Sequence, residues 1–413
     1  MGALRVDRAR LLARLDRLAS AGAIAGTPGC CRLALTDADR VGRELVRTWM
    51  EDLGLHVTVD GIGNVVACTD ATGAAGAVMM GSHIDTVATG GRYDGTLGVL
   101  AGLEVIETIM LSGQPLERPL AVAFFTNEEG SRFAPDMMGS LTYVGGLPLE
   151  TALTTVGIDG AVVADELDRI GYRGSAPLPG AVPHAFVELH IEQGPVLEAE
   201  GWRIGVVEGV QGISWTELTI EGQSNHAGTT PMNLRRDPGY VATRIATFVR
   251  DLATTLGGDQ VGTVGALTLE PNLVNVVPAG AVMTVDLRNT DESVLSEAEA
   301  RLAIFVAEVA AEEGVEVSRR ILARFEPVDF APEVVELVER SAADLGLPSR
   351  RLPSGAGHDA QMLARVCPTA MVFVPSVAGV SHNPTEHTDP NDLEAGANVL
   401  LATVLRLAGG TAS

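Results

Sequence analysis

The amino-acid sequence predicts an α/β protein whose main domain contains a mixed, mainly parallel sheet. Two observations predict this class. An apolar strand at 77–80, a helical pattern at 99–112 and an apolar strand at 120–126 follow one another, and such β-α-β alternation implies parallel strands. From about residue 210 the pattern changes, and segments typical of strands and amphipathic helices follow in the order βαββαβ, which describes a compact split-βαβ domain.

We expect this second domain to be an insertion, because it is followed by a helix at 332–345 and a strand at 370–374 that resemble the elements of the main domain. The predicted segments are therefore 1–209 for the first part of the main domain, 210–325 for the inserted domain and 326–413 for the second part of the main domain. A chain of 413 residues agrees with this count of two domains.

Local signals define the other elements. Leucines at three- and four-residue spacing predict an amphipathic helix at 6–19, and Thr36 is the predicted N-cap of a helix at 39–53 that ends before Gly54. The first half of the chain further contains a hairpin at 56–60 and 65–68, an irregular Gly- and Pro-rich stretch at 130–180 and a strand ending near 190. In the second half, the predicted strands are 215–220, 264–269, 283–287 and 316–320, and the predicted helices are 237–256, 293–313 and 392–407.

The composition excludes several classes of function. A formal net charge of −24 argues against nucleic acid and anionic membrane surfaces as partners. The chain contains no lysine, which excludes P-loop, Schiff-base and pyridoxal chemistry, sites bridged by a carboxylated lysine, and Glu-Lys-Cys amidases. The four cysteines show no CxxC spacing, and no apolar run approaches the roughly 20 residues of a membrane span. We expect a cytoplasmic protein.

Chemically active side chains follow the ends of the predicted strands, where ligands bind in open α/β sheets. Imidazole and carboxylate groups at such positions predict a metal-dependent hydrolytic site, and a two-metal site needs a carboxylate that bridges both ions. The candidate ligands are His83, Asp94, Glu129, His190 and His382.

Two further acidic residues flank these ligands. Asp85, two residues from His83, is expected to accept the second imidazole N–H and to fix the tautomer of the ring. The side chain of Glu128 points away from that of the adjacent Glu129, so the two cannot easily bind the same ion. Glu128 is therefore the natural general base. Taken alone, the Glu128-Glu129 pair is more typical of a solvated acidic turn.

The motifs that carry these residues are similar to those of a known family. In chain order they read GSHIDTV, GGRYDG, NEEGSRF, ELHIEQGPVLE, SNHAGTTPM, VNVVP, DLR, SGAGHDAQ and SHNP. This series resembles the M20-type amidohydrolases. Within them it resembles the hydantoinase/carbamoylase branch, which includes N-carbamoyl-L-amino-acid hydrolases, β-ureidopropionases and allantoate amidohydrolases. The resemblance extends from about residue 5 to residue 408.

The resemblance implies a zinc-exopeptidase-like catalytic domain with an inserted ferredoxin-like lid domain, which also forms a homodimer. It further implies two divalent metal ions per subunit. These ions would be zinc or, alternatively, manganese, cobalt or nickel. His83, Asp94 and His190 would hold one ion, and Asp94, Glu129 and His382 the other, with Asp94 bridging the two.

The resemblance also assigns catalytic and substrate-binding roles. Glu128 would activate a water molecule and pass its proton to the leaving amine. His226 would reach the partner subunit's active site and stabilise the oxyanion. Arg288 is the natural partner of a substrate carboxylate, although an exposed strand end explains it equally well, and Asn275 offers an amide donor and acceptor. Further substrate-binding candidates are Gln193, Gln211, Ala356, Gly357 and His358.

One position bears on the substrate. Allantoate hydrolases carry a glutamine where Ile213 stands here, which favours a substrate with a single ureido group and an apolar side chain; Gln211, two residues away, is an alternative glutamine. We therefore expect hydrolysis of the ureido C–N bond of N-carbamoyl-L-amino acids to L-amino acid, ammonia and carbon dioxide.

Four alternatives remain for the function. They are allantoate hydrolysis, β-ureidopropionase activity, M20 peptidase or aminoacylase activity, and a non-catalytic binding protein. The peptidases tend to carry a carboxylate where His190 stands, and the intact Glu128 argues against a binding protein.

Overall fold

A computed structural model describes residues 4–410, which form two compact units. The first unit contains the chain up to Glu208 and again from Asp329, and the second contains Gly209–Val328. None of the helices within 4–410 combines the length and the apolar character that crossing a lipid bilayer requires.

The elements of both units are numbered in chain order. The strands are β1 (His56–Val59), β2 (Val65–Cys68), β3 (Val78–His83), β4 (Leu120–Phe125), β5 (Ala185–Ile191), β6 (Ile204–Val210), β7 (Gly212–Glu221), β8 (Asn225–His226), β9 (Val261–Glu270), β10 (Val276–Val277), β11 (Gly280–Asn289), β12 (Glu316–Phe325), β13 (Val328–Asp329), β14 (Ser349–Ser354) and β15 (Thr369–Val374). The helices are α1 (Arg8–Ala19), α2 (Asp37–Asp52), α3 (Thr96–Ser112), α4 (Met138–Tyr143), α5 (Leu149–Leu153), α6 (Val163–Ile170), α7 (Val196–Glu200), α8 (Pro238–Leu256), α9 (Glu292–Glu313), α10 (Pro332–Asp344), α11 (Asp359–Leu363) and α12 (Pro390–Leu407).

The first unit is built on a nine-stranded mixed sheet with a parallel centre. Its strand order is β1-β2-β4-β3-β5-β15-β6-β13, and β14 pairs with β6. Strands β4, β3, β5 and β15 run parallel, so their carboxyl ends lie at one edge of the sheet. Antiparallel pairs β2–β4 and β15–β6 flank this centre. The mainly parallel α/β sheet that the sequence predicts is therefore confirmed for the central strands.

The apolar character of the central strands explains their position. All residues of β3, β4, β5 and β15 are buried, as expected for strands that are covered on both faces. Helices α3 and α12 pack against the sheet and against each other. At the start of α2 the Thr36 hydroxyl accepts a hydrogen bond from the N–H of Asp39, so the predicted N-cap is found.

The structure differs from the sequence-based expectation in several places of this unit. His83 is the last residue of β3 and not part of the following loop. The stretch 130–180 contains three helices, α4, α5 and α6, which have 6, 5 and 8 residues and are too short to show helical periodicity. Strands β6 and β14 were not predicted, because β6 contains two glycines and β14 is rich in arginine and serine.

The second unit contains a four-stranded antiparallel sheet with two helices on one face. Its main elements follow along the chain as β7, α8, β9, β11, α9 and β12, and the strands lie in the order β12-β7-β11-β9. Residues of α8 and α9 form a hydrophobic core with inward-facing strand residues such as Leu218, Ile220, Met283 and Val285. Residues at the alternate strand positions lie on the opposite face of this sheet. The short strands β8 and β10 pair with each other in a second, two-stranded sheet.

Candidate active site and metal centre

The five predicted ligands meet at the carboxyl edge of the parallel strands. His83 ends β3, His190 is the next-to-last residue of β5, and Glu129 follows β4. Asp94 lies in the loop before α3, and His382 lies in the loop before α12. The ligand atoms form two groups, in each of which all of them lie within 4.8 Å of one another: His83, Asp94 and His190, and Asp94, Glu129 and His382.

Asp94 belongs to both groups, and each of its carboxylate oxygens faces a different one. Oδ1 lies 3.5 Å from Nε2 of His83 and 3.2 Å from Nε2 of His190, whereas Oδ2 lies 3.3 Å from Nε2 of His382. The carboxylate is almost completely buried. This geometry suits a carboxylate that bridges two cations.

Backbone carbonyl groups orient two of the imidazole rings. Nδ1 of His83 lies 2.9 Å from the carbonyl oxygen of Asp85, and Nδ1 of His190 lies 2.8 Å from that of Ile191. A carbonyl oxygen only accepts, so each Nδ1 carries a proton and each Nε2 faces Asp94. The expectation that the Asp85 carboxylate holds the His83 ring was wrong, because the main-chain carbonyl of that residue does so.

The Asp85 carboxylate instead holds the turn that carries the two glutamates. It accepts hydrogen bonds from the N–H groups of Glu128 and Glu129, each at 3.3 Å. Asn127, just before them, has a φ of 57°, a left-handed conformation that asparagine tolerates better than most residues. Two successive N–H groups at this turn need acceptors, and the buried Asp85 side chain satisfies both.

The two adjacent glutamates face different parts of the site. Oε2 of Glu128 lies 3.3 Å from Nε2 of His83, whereas Oε2 of Glu129 lies 3.3 Å from Nε2 of His382. The other oxygen of Glu129 accepts a hydrogen bond from the N–H of Val87 at 3.2 Å. Both side chains are largely buried. Glu128 therefore lies beside the first ligand group, while Glu129 belongs to the second.

Burial and mutual contact shift the pKa values of these groups. Burial, and then the charge of Asp94, raises the pKa of Glu129 to about 8, and burial raises the pKa of Glu128 well above its usual range. The pKa of Asp94 stays well below its usual value, because hydrogen bonds to His190, His382 and His83 outweigh the effect of burial. A hydrogen bond to Asp94 raises the pKa of His382 to about 9.

Gly95 allows the His83 ring to approach the loop. Its φ is 63°, and a Cβ atom at this position would lie 2.4 Å from the ring of His83. Its N–H also donates to Nε2 of His190 at 3.1 Å. No larger residue could stand between the two histidines without moving one of them.

Glu386 is a functional candidate that the sequence reasoning missed. One carboxylate oxygen accepts from the N–H groups of Tyr93 at 3.0 Å and Asp94 at 3.3 Å, and the other accepts from the Ser381 hydroxyl at 3.0 Å. It thereby joins the loops that carry Asp94 and His382. Burial, and then the charge of Asp94, raises its pKa to about 7. Its position four residues after His382, in SHNPTE, was the signal available in the sequence.

Gln193, predicted to bind substrate, contacts the ligand cluster itself. Its side-chain amide donates to Oδ2 of Asp94 at 2.9 Å and to the Ser381 hydroxyl at 3.4 Å. Its backbone has a φ of 58°, and that of His382 has a φ of 54°. Two residues other than glycine in this strained conformation beside one carboxylate are typical of a functional site.

The loop between β14 and α11 contains three more of the predicted substrate-binding residues. The N–H of Ala356 donates to the Ser354 hydroxyl at 3.1 Å, so it is not available to a substrate, contrary to expectation. The N–H of Gly357 donates to no residue of the described range 4–410. His358 is buried with Nε2 2.8 Å from the Ser354 hydroxyl, and burial, followed by the charge of His190, holds its pKa well below the usual range.

Two buried carboxylates beside this loop were not predicted either. Glu188 accepts from the Ser82 hydroxyl at 2.6 Å and from the N–H of Ala360 at 2.8 Å. Both carboxylate oxygens of Asp359 are buried without a hydrogen-bond partner among residues 4–410. Burial, and then the charge of Glu188, raises the pKa of Asp359 to about 8, so this group is protonated at neutral pH.

The second unit contains the remaining predicted site residues, and two of them are neighbours. His226 in β8 pairs with Val276 in β10, and the N–H of Ala227 donates to the carbonyl oxygen of Asn275 at 3.0 Å. Nδ1 of His226 lies 3.0 Å from the N–H of Gly228 and 3.2 Å from that of Thr229. Because Nδ1 accepts both hydrogen bonds, the neutral ring carries its proton on Nε2.

Arg288 lies on the sheet face opposite the two helices and has an acidic partner there. Its guanidinium group contacts both carboxylate oxygens of Asp286 at 2.9–3.1 Å and lies 5.7 Å from the centre of the Trp215 ring. Ile213 is its cross-strand partner in β7 and is buried, as is Gln211 just before β7. Ile213, Trp215, Asp286 and Arg288 thus form one patch on this face.

Comparison with known proteins identifies the family. A profile of peptidase family M20/M25/M40 matches residues 79–406, which is most of the chain. The chain belongs to this family.

Relatives of this M20 chain support the branch that its motifs predict. It is 41% identical over 406 residues to the N-carbamoyl-L-amino-acid amidohydrolase of Rhizobium meliloti, with 98% of this chain and 97% of that protein covered. It is 34% identical over 412 residues to the ureidoglycolate hydrolase of Oryza sativa subsp. japonica, with 97% and 85% covered. The crystal structure of a hydantoinase/carbamoylase family amidase from Burkholderia multivorans has a TM-score of 0.93, 45% identity and 98% coverage of both chains. The predicted M20 amidohydrolase of the hydantoinase/carbamoylase branch is confirmed.

The residues of this M20 chain fit divalent metal ions. Three imidazoles and the carboxylates of Asp94 and Glu129 converge in two groups, and zinc, manganese, cobalt and nickel share this donor set. The neighbouring carboxylates raise the pKa of His83 well above its usual value despite burial, and they also raise that of His190. The cluster therefore attracts positive charge, which divalent cations would supply.

Proposed function

We propose that this chain hydrolyses the ureido C–N bond of N-carbamoyl-L-amino acids, with water as co-substrate and L-amino acid, ammonia and carbon dioxide as products. The observation that carries the proposal is the position of Asp94, whose two oxygens face two ligand groups with Glu128 beside one of them. The N-carbamoyl-L-amino-acid amidohydrolase among the relatives supports the choice of substrate.

His83, Asp94 and His190 would hold one divalent ion, and Asp94, Glu129 and His382 the second. When bound, two such ions polarise the scissile carbonyl group and make water more acidic. Glu128 accepts the proton of the attacking water and delivers it to the nitrogen of the leaving amine. Burial raises its pKa, which suits a group that must both take up and release a proton.

We assign the stabilisation of the oxyanion to His226, acting in trans within a homodimer. Its side chain is exposed, and its Nε2–H is free to donate because Nδ1 accepts from the backbone. The second unit would be the ferredoxin-like lid and dimerisation domain, for which the predicted bounds are 210–325. Strand β9 lies at one end of its sheet, and an edge of this kind can pair with a second copy.

Arg288 would bind the α-carboxylate of the substrate together with the amide of Asn275. The ion pair with Asp286 holds the guanidinium group in a defined orientation, and a guanidinium group is well suited to bind a substrate carboxylate. Gly357 would donate its backbone N–H to the substrate, and His358 and Gln211 remain candidates for substrate contact. Gln193 would act through Asp94, which it contacts.

A second candidate is the hydrolysis of ureidoglycolate or of allantoate. The relative named ureidoglycolate hydrolase favours it, because it matches almost the whole chain. The apolar Ile213 argues for the first candidate, since its buried side chain offers no hydrogen bond to a second polar group of a ureide.

The test is ammonia release by protein reconstituted with zinc, manganese, cobalt or nickel. N-Carbamoyl-L-methionine, β-ureidopropionate, allantoate and ureidoglycolate are compared in parallel, with Glu128→Gln as the control. Preference for N-carbamoyl-L-methionine that disappears in the control supports the proposal. Preference for allantoate or ureidoglycolate would replace it with the second candidate, and activity that survives in Glu128→Gln would remove Glu128 as the base.

A further inference from the structure

The second unit contains a cavity that shares no residue with the candidate active site. It has a volume of about 270 Å³ and lies between α9 and the inner face of the sheet. Its apolar walls come from both sides, with Leu218, Val285 and Leu287 from the strands and Leu302 and Val306 from the helix.

The cavity is large compared with ordinary packing defects. Protein interiors contain few voids larger than a water molecule, and an apolar cavity of about 150 Å³ is sufficient to bind benzene. Three alanines of α9 (Ala303, Ala307 and Ala310) line it, and their small side chains leave this space unfilled. Because Ala303 and Ala307 are exposed, the cavity opens to solvent between α9 and the edge strand β12.

Two polar groups of the lining lack partners. Thr216 is 3% exposed, and its hydroxyl forms no side-chain hydrogen bond with any residue of the 4–410 range. Arg319 is exposed at the rim and forms no ion pair with the described part of the chain. An apolar cavity with a hydroxyl group in its wall and an unpaired cation at its rim has the features of a site for an amphipathic anion.

The other charges near the opening are already compensated. Glu299 accepts hydrogen bonds from the Ser214 hydroxyl and from Arg324. Arg320, next to Arg319 on β12, donates to Glu217 at 3.0 Å. Among the arginines of this strand segment, Arg319 is therefore the one whose charge is available to a ligand.

We propose that this cavity binds a small monocarboxylate with an aliphatic or aryl body of about ten non-hydrogen atoms, a size estimated from the benzene-sized reference cavity. The carboxylate lies at Arg319, and the apolar body lies between α9 and β7. This inference is independent of the proposed catalytic function, since none of the candidate catalytic, metal-binding or substrate-binding residues lines the cavity.

The experiment is calorimetric titration of the full-length, metal-loaded protein with sodium octanoate, and with octanamide as the uncharged probe. We expect one saturable site with a dissociation constant of about 1 mM or lower for octanoate. Octanamide should bind at least about tenfold more weakly, because it lacks the charge-assisted bond to Arg319.

Three variants locate the site. Arg319→Gln should weaken octanoate binding about tenfold, and the neighbouring Arg320→Gln, the matched control, should leave it unchanged. Ala307→Leu fills the opening and should abolish binding. Residue 307 is exposed, so the variant should fold, which thermal unfolding verifies.

Each other outcome overturns the proposal. Absence of saturable binding to the unaltered protein would show that the cavity takes no such ligand. Equal binding of octanamide, or of octanoate by Arg319→Gln, would remove the role of the charge, and undiminished binding by Ala307→Leu would place octanoate elsewhere. A changed sedimentation coefficient of Arg319→Gln would instead assign this face to contact with a second copy of the chain.

Discussion

The carboxylate of Glu386 accepts the backbone N–H of Asp94 across 292 positions of sequence and, through its other oxygen, the hydroxyl of Ser381. Asp94 and His382, which follows Ser381, are candidate ligands that lie in two separate loops. One buried acidic side chain therefore helps to hold these two loops in position relative to each other. The absence of a side chain at Gly91 leaves room for this carboxylate, because a Cβ atom there would lie 2.1 Å from it.

Replacement of Glu386 by alanine should weaken metal binding about 10- to 100-fold, as is typical when residues that orient ligands are removed. Glu386→Gln retains an acceptor for the two N–H groups and should remain close to the unaltered protein. Metal affinity measured by calorimetry tests this, with thermal unfolding of the metal-free variants as the check on folding. Equal affinities of the alanine variant and the unaltered protein would contradict the positioning role.

Glu128→Gln should lower kcat by about 10²- to 10⁴-fold, the usual contribution of a general acid–base group. Metal content should not change, since Glu128 belongs to neither ligand group. Atomic absorption on the purified variant, together with steady-state kinetics, separates the two effects. If the ions were lost along with activity, Glu128 would have to be reassigned as a ligand.

Metal affinity should rise as the pH increases from 6 to 9. In the metal-free cluster, burial and the charge of Asp94 raise the pKa of Glu129 to about 8, and the hydrogen bond to Asp94 raises that of His382 to about 9. Both groups are protonated at pH 7 and must lose their protons to bind a cation, so binding releases protons. Calorimetry in buffers of different ionisation enthalpy measures this release. Affinity independent of pH would show that these protons are absent.

Gly95→Ala should destabilise the protein by more than about 1 kcal/mol and should also weaken metal binding. The left-handed φ accounts for part of the loss, and the clash of the new Cβ with the His83 ring accounts for the rest.

Gly113→Ala is the matched control for this substitution. Gly113 also has a left-handed φ and lies at the other end of α3, but nothing lies within 4 Å of its hypothetical Cβ. The control should lose only about 1 kcal/mol and retain its metal affinity. Identical metal affinities of the two variants would contradict the role of Gly95.

Arg288→Ala should raise KM for a carbamoyl amino acid by about 10- to 100-fold with little change in kcat, the loss expected for a hydrogen-bonded charged group. Arg288→Lys should be intermediate, because an ammonium group cannot bind a carboxylate in the same two-point manner. Steady-state kinetics with metal content as a control is the measurement. An unchanged KM would exclude Arg288 as the carboxylate partner.

Much of the main fold and the ligand set was predictable from local sequence. The apolar strands before His83 and Glu128 are recognisable because buried parallel strands are continuous apolar runs. The five ligands lie at or just after strand ends or in glycine- and proline-rich loops, as the sequence indicated. The expected role of Asp85 and the availability of the Ala356 N–H were wrong, because both depend on hydrogen bonds that residue type does not reveal.

By itself, the sequence determined the type of chemistry and the family of this protein, since histidines and carboxylates at strand ends and long motifs are local properties. Tertiary structure alone decided the remaining relationships: which oxygen of Asp94 faces which histidine, the Glu386 contact and the hydrogen bond from Gln193 to Asp94. The physical reason is that a hydrogen bond or ion pair requires two groups within about 3–4 Å in a suitable orientation. That proximity arises only when separate loops and strands pack together.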